Sequence, residues 1–217
     1  MTNIFDLYNF VNYITDKYRN GYLSPEEVSE CLDAGQTALW NHHMGERQKG
    51  NELSLIALKP FKKISNVTST YTGKAASPSM YAETEGVFET IGSKTVSIKQ
   101  VLTNELDYAL SSGIYPIAQY PRFIEDSDGL QIYPKATHNV EWHYIARPNT
   151  PVIGYTNNVN QVIYDPTTST QLDFAPQYWN DVVSLALPYI GVNLSNAEVV
   201  GLEQLFNINK DNGNDSD

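Results

Sequence analysis

The sequence predicts an α+β fold in which an N-terminal helical hairpin and C-terminal helices flank a mainly antiparallel β-sheet or sandwich. Three observations lead there. Apolar residues recur at three- and four-residue spacing at both ends of the chain, the signature of amphipathic helices. In the middle, Leu130, Ile132, Val140, Trp142 and Tyr144 fall on every second position, the period of a half-buried strand. Helices followed by strands and then helices again, without regular alternation, indicate α+β rather than α/β organisation.

Leu7, Phe10, Val11, Ile14 and Tyr18 form the stripe of a first helix, which Asn20-Gly21 ends. Ser24-Pro25-Glu26-Glu27 supplies an N-cap serine, a proline at the first helical position and a glutamate three residues after the cap, so a second helix starts there. It carries Val28, Cys31, Leu32 and Leu39, and Gly45 is placed to stop it, giving a hairpin over residues 3–45. Leu53 to Leu58 fits a short helix or a buried strand equally. A threonine-rich strand is expected around Val67 to Tyr71, and Gly86–Ile91 and Lys94–Val101 read as two strands joined across Gly92-Ser93. Thr103 offers a cap to a helix over Asn104–Ser112 stopped by Gly113.

The strand-rich middle, residues 64–173, has its core between Tyr115 and Tyr155. Asp126-Ser127-Asp128-Gly129 makes a tight reversal between strands at 122–125 and 130–133, and a further strand covers 139–146. Gln161–Tyr164 and Thr170–Asp173 read as another pair across Asp165-Pro166. C-terminal helices occupy residues 176–207: one from Pro176 to Gly191 with a last turn distorted by Pro188, and one opened by the capping box Ser195-Asn196-Ala197-Glu198. Residues 1–207 are expected to form a single domain, followed by a flexible acidic tail at 208–217.

Net charge is -11, with 25 Asp and Glu against 14 scattered Lys and Arg, which argues against a protein that grips nucleic acid through phosphates. One cysteine excludes an internal disulfide, and Cys31 reads as a small buried hydrophobe. No stretch approaches the roughly 20 apolar residues that span a bilayer, and no basic leader precedes an apolar run. A soluble protein made in a cytoplasm is expected. Fifteen Tyr, seven Phe and three Trp bring aromatic content to 12%, and such rings suit cores and protein interfaces alike.

Candidate chemistry is sparse. His42-His43 point about 100° apart on a helix and cannot share one metal well, and His138 and His143 face opposite sides of a strand. Asp126-x-Asp128-Gly129 begins like a calcium loop, but the position of its bidentate glutamate falls at Thr137-His138, so a turn is the reading. Glu83-x-Glu85 and Glu125-Asp126 are paired carboxylates whose use in catalysis would require a shared cleft. No phosphate-binding glycine loop or nucleophile elbow occurs. The expectation is a non-enzyme with no catalytic residues, cofactor or metal. The stripe Tyr115, Tyr120, Tyr133, Trp142, Tyr144 and Tyr155 leaves a sugar-stacking surface as an alternative to sheet core or subunit interface.

In order and spacing, several segments resemble ring-forming neck (head–tail connector) proteins of tailed bacteriophages, the crAss-like and related short-tailed phages. These are Gly21 to Glu27, Ala34-Gly35-Gln36, Tyr120-Pro121, Ile132-Tyr133-Pro134, Tyr144 to Pro148 with Pro151 and Gly154-Tyr155, then Phe174, Pro176 and Tyr189 to Leu194. Ser77 to Tyr81 stands where the family has a Leu-Pro-x-acid-Tyr segment. The resemblance implies a homo-oligomeric, twelvefold ring in the virion neck, assembled in the host cytoplasm and contacting the portal and other neck or tail rings. DNA would pass through it without specific binding. Tyr178, Trp179, Phe206 and Ile208 are the subunit-interface candidates on this reading. A glycan- or surface-binding module is the competing class.

Overall fold

The computed structural model of the protein describes residues 1–19, 21–70, 73–91, 93–111, 120–158 and 161–213. The architecture is α+β, as the periodicity predicts. Where one domain is expected, the chain separates into two compact units: residues 1–60 with 148–217, and residues 61–147.

The first unit is built on helices. α1 (Ile4–Arg19) buries Ile4, Leu7, Phe10, Val11 and Ile14, while Tyr18 at its end stays exposed. Asn12 clamps the hairpin, its Oδ1 accepting from the Leu23 amide at 2.7 Å and its Nδ2 donating to the Leu23 carbonyl at 3.3 Å. α2 (Pro25–Gln48) opens with the predicted capping box: Glu27 N donates to Ser24 Oγ and the Ser24 amide donates to Glu27 Oε2. The helix does not stop at Gly45. Glu46, Arg47 and Gln48 are good helix formers that carry it one turn further, and Gly50 takes the left-handed conformation at φ +83°. The ambiguous segment is helix α3 (Glu52–Ala57), capped by Asn51, whose Oδ1 accepts from the Leu53 amide at 3.0 Å.

α5 (Trp179–Ala186) follows a 3₁₀ turn at Pro176–Tyr178, and the chain around Pro188 winds as a 3₁₀ turn over Leu187–Ile190 before left-handed Gly191. The proline's missing amide and its ring account for the predicted distortion. α5 lies against α2 at Gly35, where a Cβ would fall 2.4 Å from the Val182 carbonyl oxygen and 2.9 Å from Ala186 Cβ. Beside it, fully buried Gln36 donates to the Asn149 carbonyl at 2.9 Å and accepts from the Asp173 amide at 2.8 Å. α6 (Asn196–Gly213) begins after the expected cap, the Ser195 amide donating to Glu198 Oε2 at 2.7 Å. It runs on past 207, because Ile208 to Asn212 contains no helix breaker before Gly213, so the helix takes in most of the expected tail. Residues 214–217 lie outside the described residues.

β7 (Tyr155–Asn158) pairs antiparallel with β8 (Gln161–Tyr164), in place of the expected pairing of 161–164 with 170–173. Asp165 explains the difference. Its Oδ1 accepts from the Thr167 amide at 2.9 Å and hydroxyl at 2.6 Å, its Oδ2 from the Thr168 hydroxyl at 3.0 Å, and its carbonyl from Ser169 Oγ at 2.7 Å. This turn diverts the chain, and Thr170 bridges to Val152 instead.

The second unit is a six-stranded sheet in the order β1-β6-β2-β3-β4-β5 with one short helix. The strands are β1 (Lys62–Ser69), β2 (Tyr81–Ile91), β3 (Lys94–Gln100), β4 (Arg122–Asp126), β5 (Gly129–Tyr133) and β6 (His138–Ala146), and α4 (Thr103–Ser111) connects β3 to β4. All neighbours are antiparallel except β3 and β4. That one parallel pair needs a crossover, and α4 lies within it. The expected reversal joins β4 to β5, with Asp128 N donating to Asp126 Oδ1 at 3.0 Å and Gly129 at φ +131°. Asn20 and Gly113 of the expected helix stops, Gly92 of the expected hairpin loop, and Tyr115 lie outside the described residues. Val87, Ile98, Phe123, Leu130, Ile132, Val140, Trp142 and Tyr144 form one core cluster.

Buried His138 ends this core face: Nδ1 meets both Glu89 oxygens at 2.9 and 3.0 Å, and Nε2 meets the Pro134 carbonyl at 2.8 Å. Glu89→Ala leaves that nitrogen buried without its acceptor. A loss of about 2–3 kcal/mol is expected in urea unfolding, whereas no change would contradict the assigned bond. Gly35→Ala should destabilise by about 2–3 kcal/mol because backbone occupies the added Cβ's place. Gly45→Ala, inside the same helix with nothing within 4 Å, should instead stabilise by about 1 kcal/mol. Chemical denaturation midpoints of the two variants, shifted in opposite directions, check the packing.

Candidate functional site

At one end of the β-sheet a cavity of about 390 Å³ is lined by Tyr81, Ala82, Glu83, Thr84, Gln100, Glu125 and Asp126. Its residues come together because β2 is irregular. Pairing with β6 slips between Tyr81 and Glu83 and again between Thr84 and Gly86. Each slip inserts an extra residue, so Tyr81, Thr84 and Val87, three apart in sequence, sit opposite Ala146, Tyr144 and Trp142 on one face. Met80, at φ +58° with its carbonyl accepting from the Arg147 amide at 2.7 Å, turns the chain into this strand.

Glu125 of β4 reaches the same point. Its Oε1 accepts from the Tyr81 hydroxyl and its Oε2 from the Thr84 hydroxyl at 2.9 Å, while Thr84 Oγ1 accepts from Trp142 Nε1 at 2.8 Å. The Thr84 hydroxyl thus satisfies the indole of the largest fully buried side chain among the described residues and passes the chain of donors on to Glu125. Burial, and then the Glu125 carboxylate accepting its proton, push the Tyr81 phenol up to about 12. Asp126 at the rim is held by Lys74 at 2.5 Å, and this pair with the Asp128 amide keeps its carboxyl below the usual range.

The structure therefore brings Glu83, one member of the first acid pair visible in the sequence, together with the second pair, Glu125-Asp126. Glu85 is not with them: it pairs with Lys62 at 2.8 Å. Both Glu125 oxygens are occupied by hydroxyls, an arrangement that orders the sheet end, and the acidic wall would repel an anion.

A second concavity, of about 280 Å³, lies over Asn66, Thr68, Phe88, Thr90, Asn139 and Glu141, with the Phe88 ring 4.8 Å from His143. Thr68 Oγ1 donates to Asn139 Oδ1 at 2.8 Å across the strands. Among the described residues no cluster of three or more His, Cys, Asp and Glu is arranged to hold a metal. His42 is exposed. His43 is half-buried, hydrogen-bonded through Nδ1 to Ser54 Oγ at 3.1 Å and packed near Phe174 and Tyr178; burial, and then neighbouring His42, push its pKa down. Cys31 is buried, as expected, and burial raises its thiol.

The interface candidates fall within the helical unit. Trp179 is buried, its indole donating to the Phe174 carbonyl at 2.9 Å, so its ring belongs to the core of the helical unit. Tyr178 is half-buried beside Phe174, and Phe206 packs 5.6 Å from Phe10 and 5.7 Å from Tyr13. Ile208 lies in α6. Of the aromatic stripe, Trp142 and Tyr144 are core and Tyr120 is exposed. The outward apolar surface of α3 was hidden from sequence reasoning, since its six residues suit helix and strand equally. Among the described residues, no helix is long and apolar enough to cross a membrane.

The raised Tyr81 pKa has a defined consequence. Protonated Tyr81 stabilises the fold below the unfolded value near 10, and that contribution is lost as pH rises towards about 12. Unfolding free energy should therefore fall from pH 10 to 12, and Tyr81→Phe should flatten that slope; an unchanged slope would remove Tyr81 as its cause. Compared with protein-family models and with curated proteins, the chain matches none.

Proposed function

We propose that the protein is a non-enzymatic virion structural protein that forms an oligomeric ring in the neck of a tailed phage, between portal and tail. The observation that carries this reading is a set of tyrosines, Tyr22, Tyr108, Tyr120 and Tyr189, that stand mostly in solvent. Tyrosine joins a large apolar ring to a hydroxyl that still bonds water, which makes it a frequent interface residue. The order of segments shared with phage connector proteins supports the same reading. So does the charge of -11, since an acidic channel lets DNA slide where a basic one would gain counterion-release energy at each phosphate. The partners on this reading are further copies in a twelvefold ring, the portal, and other neck or tail rings. Its location is the virion neck, after assembly in the host cytoplasm.

One observation favours glycan binding as a second reading: the Phe88 ring lies in a shallow groove edged by Asn66, Asn139 and Glu141, groups able to bond sugar hydroxyls. Light scattering and electron microscopy of the purified protein, alone and mixed with its phage's portal protein, separate the two. Rings, formed alone or on the portal, are expected. A stable monomer or dimer that ignores the portal and is retained on a glycan surface would overturn the ring and put the second reading first.

A further inference from the structure

We infer that the outer face of the sheet over β1, β6 and β2 holds a site for one neutral sugar residue of a glycan. The inference rests on the second reading above, and it concerns a single chain whether or not that chain assembles. Strand register builds the site. Ile64, Asn66 and Thr68 of β1 stand opposite His143, Glu141 and Asn139 of β6, and Gly86 and Phe88 of β2 stand opposite His143 and Glu141 from the other side. Alternation turns these side chains away from the core, because Val140, Trp142 and Tyr144 point into it. One row thus runs Asn66, Glu141, Phe88 across three strands, about 10 Å at the ordinary strand spacing, a width that one pyranose with its hydroxyls covers.

Three features set this face apart from an ordinary solvated sheet. The ring has a seat: a Cβ at Gly86 would come within 3.0 and 3.2 Å of two Phe88 ring atoms, so the glycine lets the ring lie back along its own strand, with His143 4.8 Å to its side. A half-buried ring held in this way can pack on sugar C–H groups with little further ordering. The polar groups are aimed but unspent. Thr68 Oγ1 donates to Asn139 Oδ1 at 2.8 Å, which orients that amide and leaves its Nδ2 to donate outward, and among the described residues neither Asn66 nor Thr90 has a side-chain hydrogen bond. Finally, His143 Nε2 is buried without a hydrogen-bond partner among the described residues, 3.6 Å from Glu141 Oε2. An orphaned ring nitrogen costs stability, and binding sites are where such a cost is kept.

The lining identifies the ligand class. It offers amides, hydroxyls, one aromatic ring and the Glu141 carboxylate, and no Lys or Arg. A phosphate, sulfate or acidic sugar would meet no cation there and would be repelled by Glu141. Alcohol groups both donate and accept, which matches a carboxylate that accepts, an Asn139 Nδ2 that donates and an Asn66 amide that does either. The space of about 280 Å³ lies just under the range of drug-sized ligand sites, about 300–1,000 Å³, so it takes one sugar residue and not a chain of them.

The test uses the full chain, isotope-labelled and titrated with the methyl glycosides of glucose, galactose, mannose and N-acetylglucosamine, together with retention on an array of immobilised neutral and acidic glycans. Saturable shifts of the Asn66 and Asn139 side-chain amide signals are expected with at least one neutral sugar. Asn66→Ala with Glu141→Gln, both at exposed positions, should keep circular dichroism and melting temperature unchanged and weaken that binding at least ~10-fold. Should the variant fail to fold, the amide shifts of the native chain decide alone. Undiminished binding by the folded variant, or binding that leaves the Asn66 and Asn139 amides unmoved, would overturn this site while leaving the glycan reading in place. Retention on acidic glycans alone would overturn the neutral class. A native chain retained on no glycan of the array would remove the second reading, and this site with it.

Discussion

The helical unit depends on the absence of a side chain at Gly35. The Val182 carbonyl lies where a Cβ would project, so α5 approaches α2 to backbone contact and no other residue fits without displacing main chain. The next residue turns that packing into wiring: Gln36, inside the contact, bonds both Asn149 and Asp173, and Asn149 N in turn donates to Asp173 Oδ2 at 2.6 Å. One turn of α2 therefore fixes a helix and two loops distant in sequence. A buried amide is expensive unless fully bonded, and here the bonds that satisfy it specify the fold.

The sheet unit follows the same logic on a different scaffold. β6 is flanked by β1 and β2, and its alternate residues Val140, Trp142 and Tyr144 supply much of the core. Polar groups close that core at both ends of the strand. His138 is held by Glu89 and Pro134 at one end, and the Trp142 indole is linked through Thr84 to Glu125 and Tyr81 at the other. The acidic cavity is a consequence of this second closure. The same carboxylate that completes the Trp142 network also places negative charge at the sheet end.

On the proposed reading, surface and interior divide the work. Acidic groups spread along the chain let DNA pass without being gripped. The aromatic load splits the same way: Trp142, Trp179 and Phe174 are core, and several tyrosines face water.

Local chemistry was legible in the sequence. Ser24 and Glu27, Ser195 and Glu198, the Asp126 to Gly129 reversal and the Pro188 distortion all appear where they were read, because caps, turns and proline effects act within a few residues. The α+β class followed from two periodicities. Long-range choices were not legible. Gly45 and Gly50 are both plausible helix stops, and only the packed helix selected the second. That β8 pairs with β7, that β3 runs parallel to β4, and that Glu83 meets Glu125 depend on pairings between segments that no local signal ranks. The bulges of β2 break the two-residue period on which sequence reasoning relies. The sequence alone determined the α+β class, the two capping boxes and the tight reversal, and that the chain is acidic and rich in tyrosine. Only the tertiary structure decided which face of α3 turns outward, since Leu53, Leu55, Ile56 and Leu58 put apolar side chains around the helix and only packing selected the Ser54, Ala57 and Leu58 face for burial.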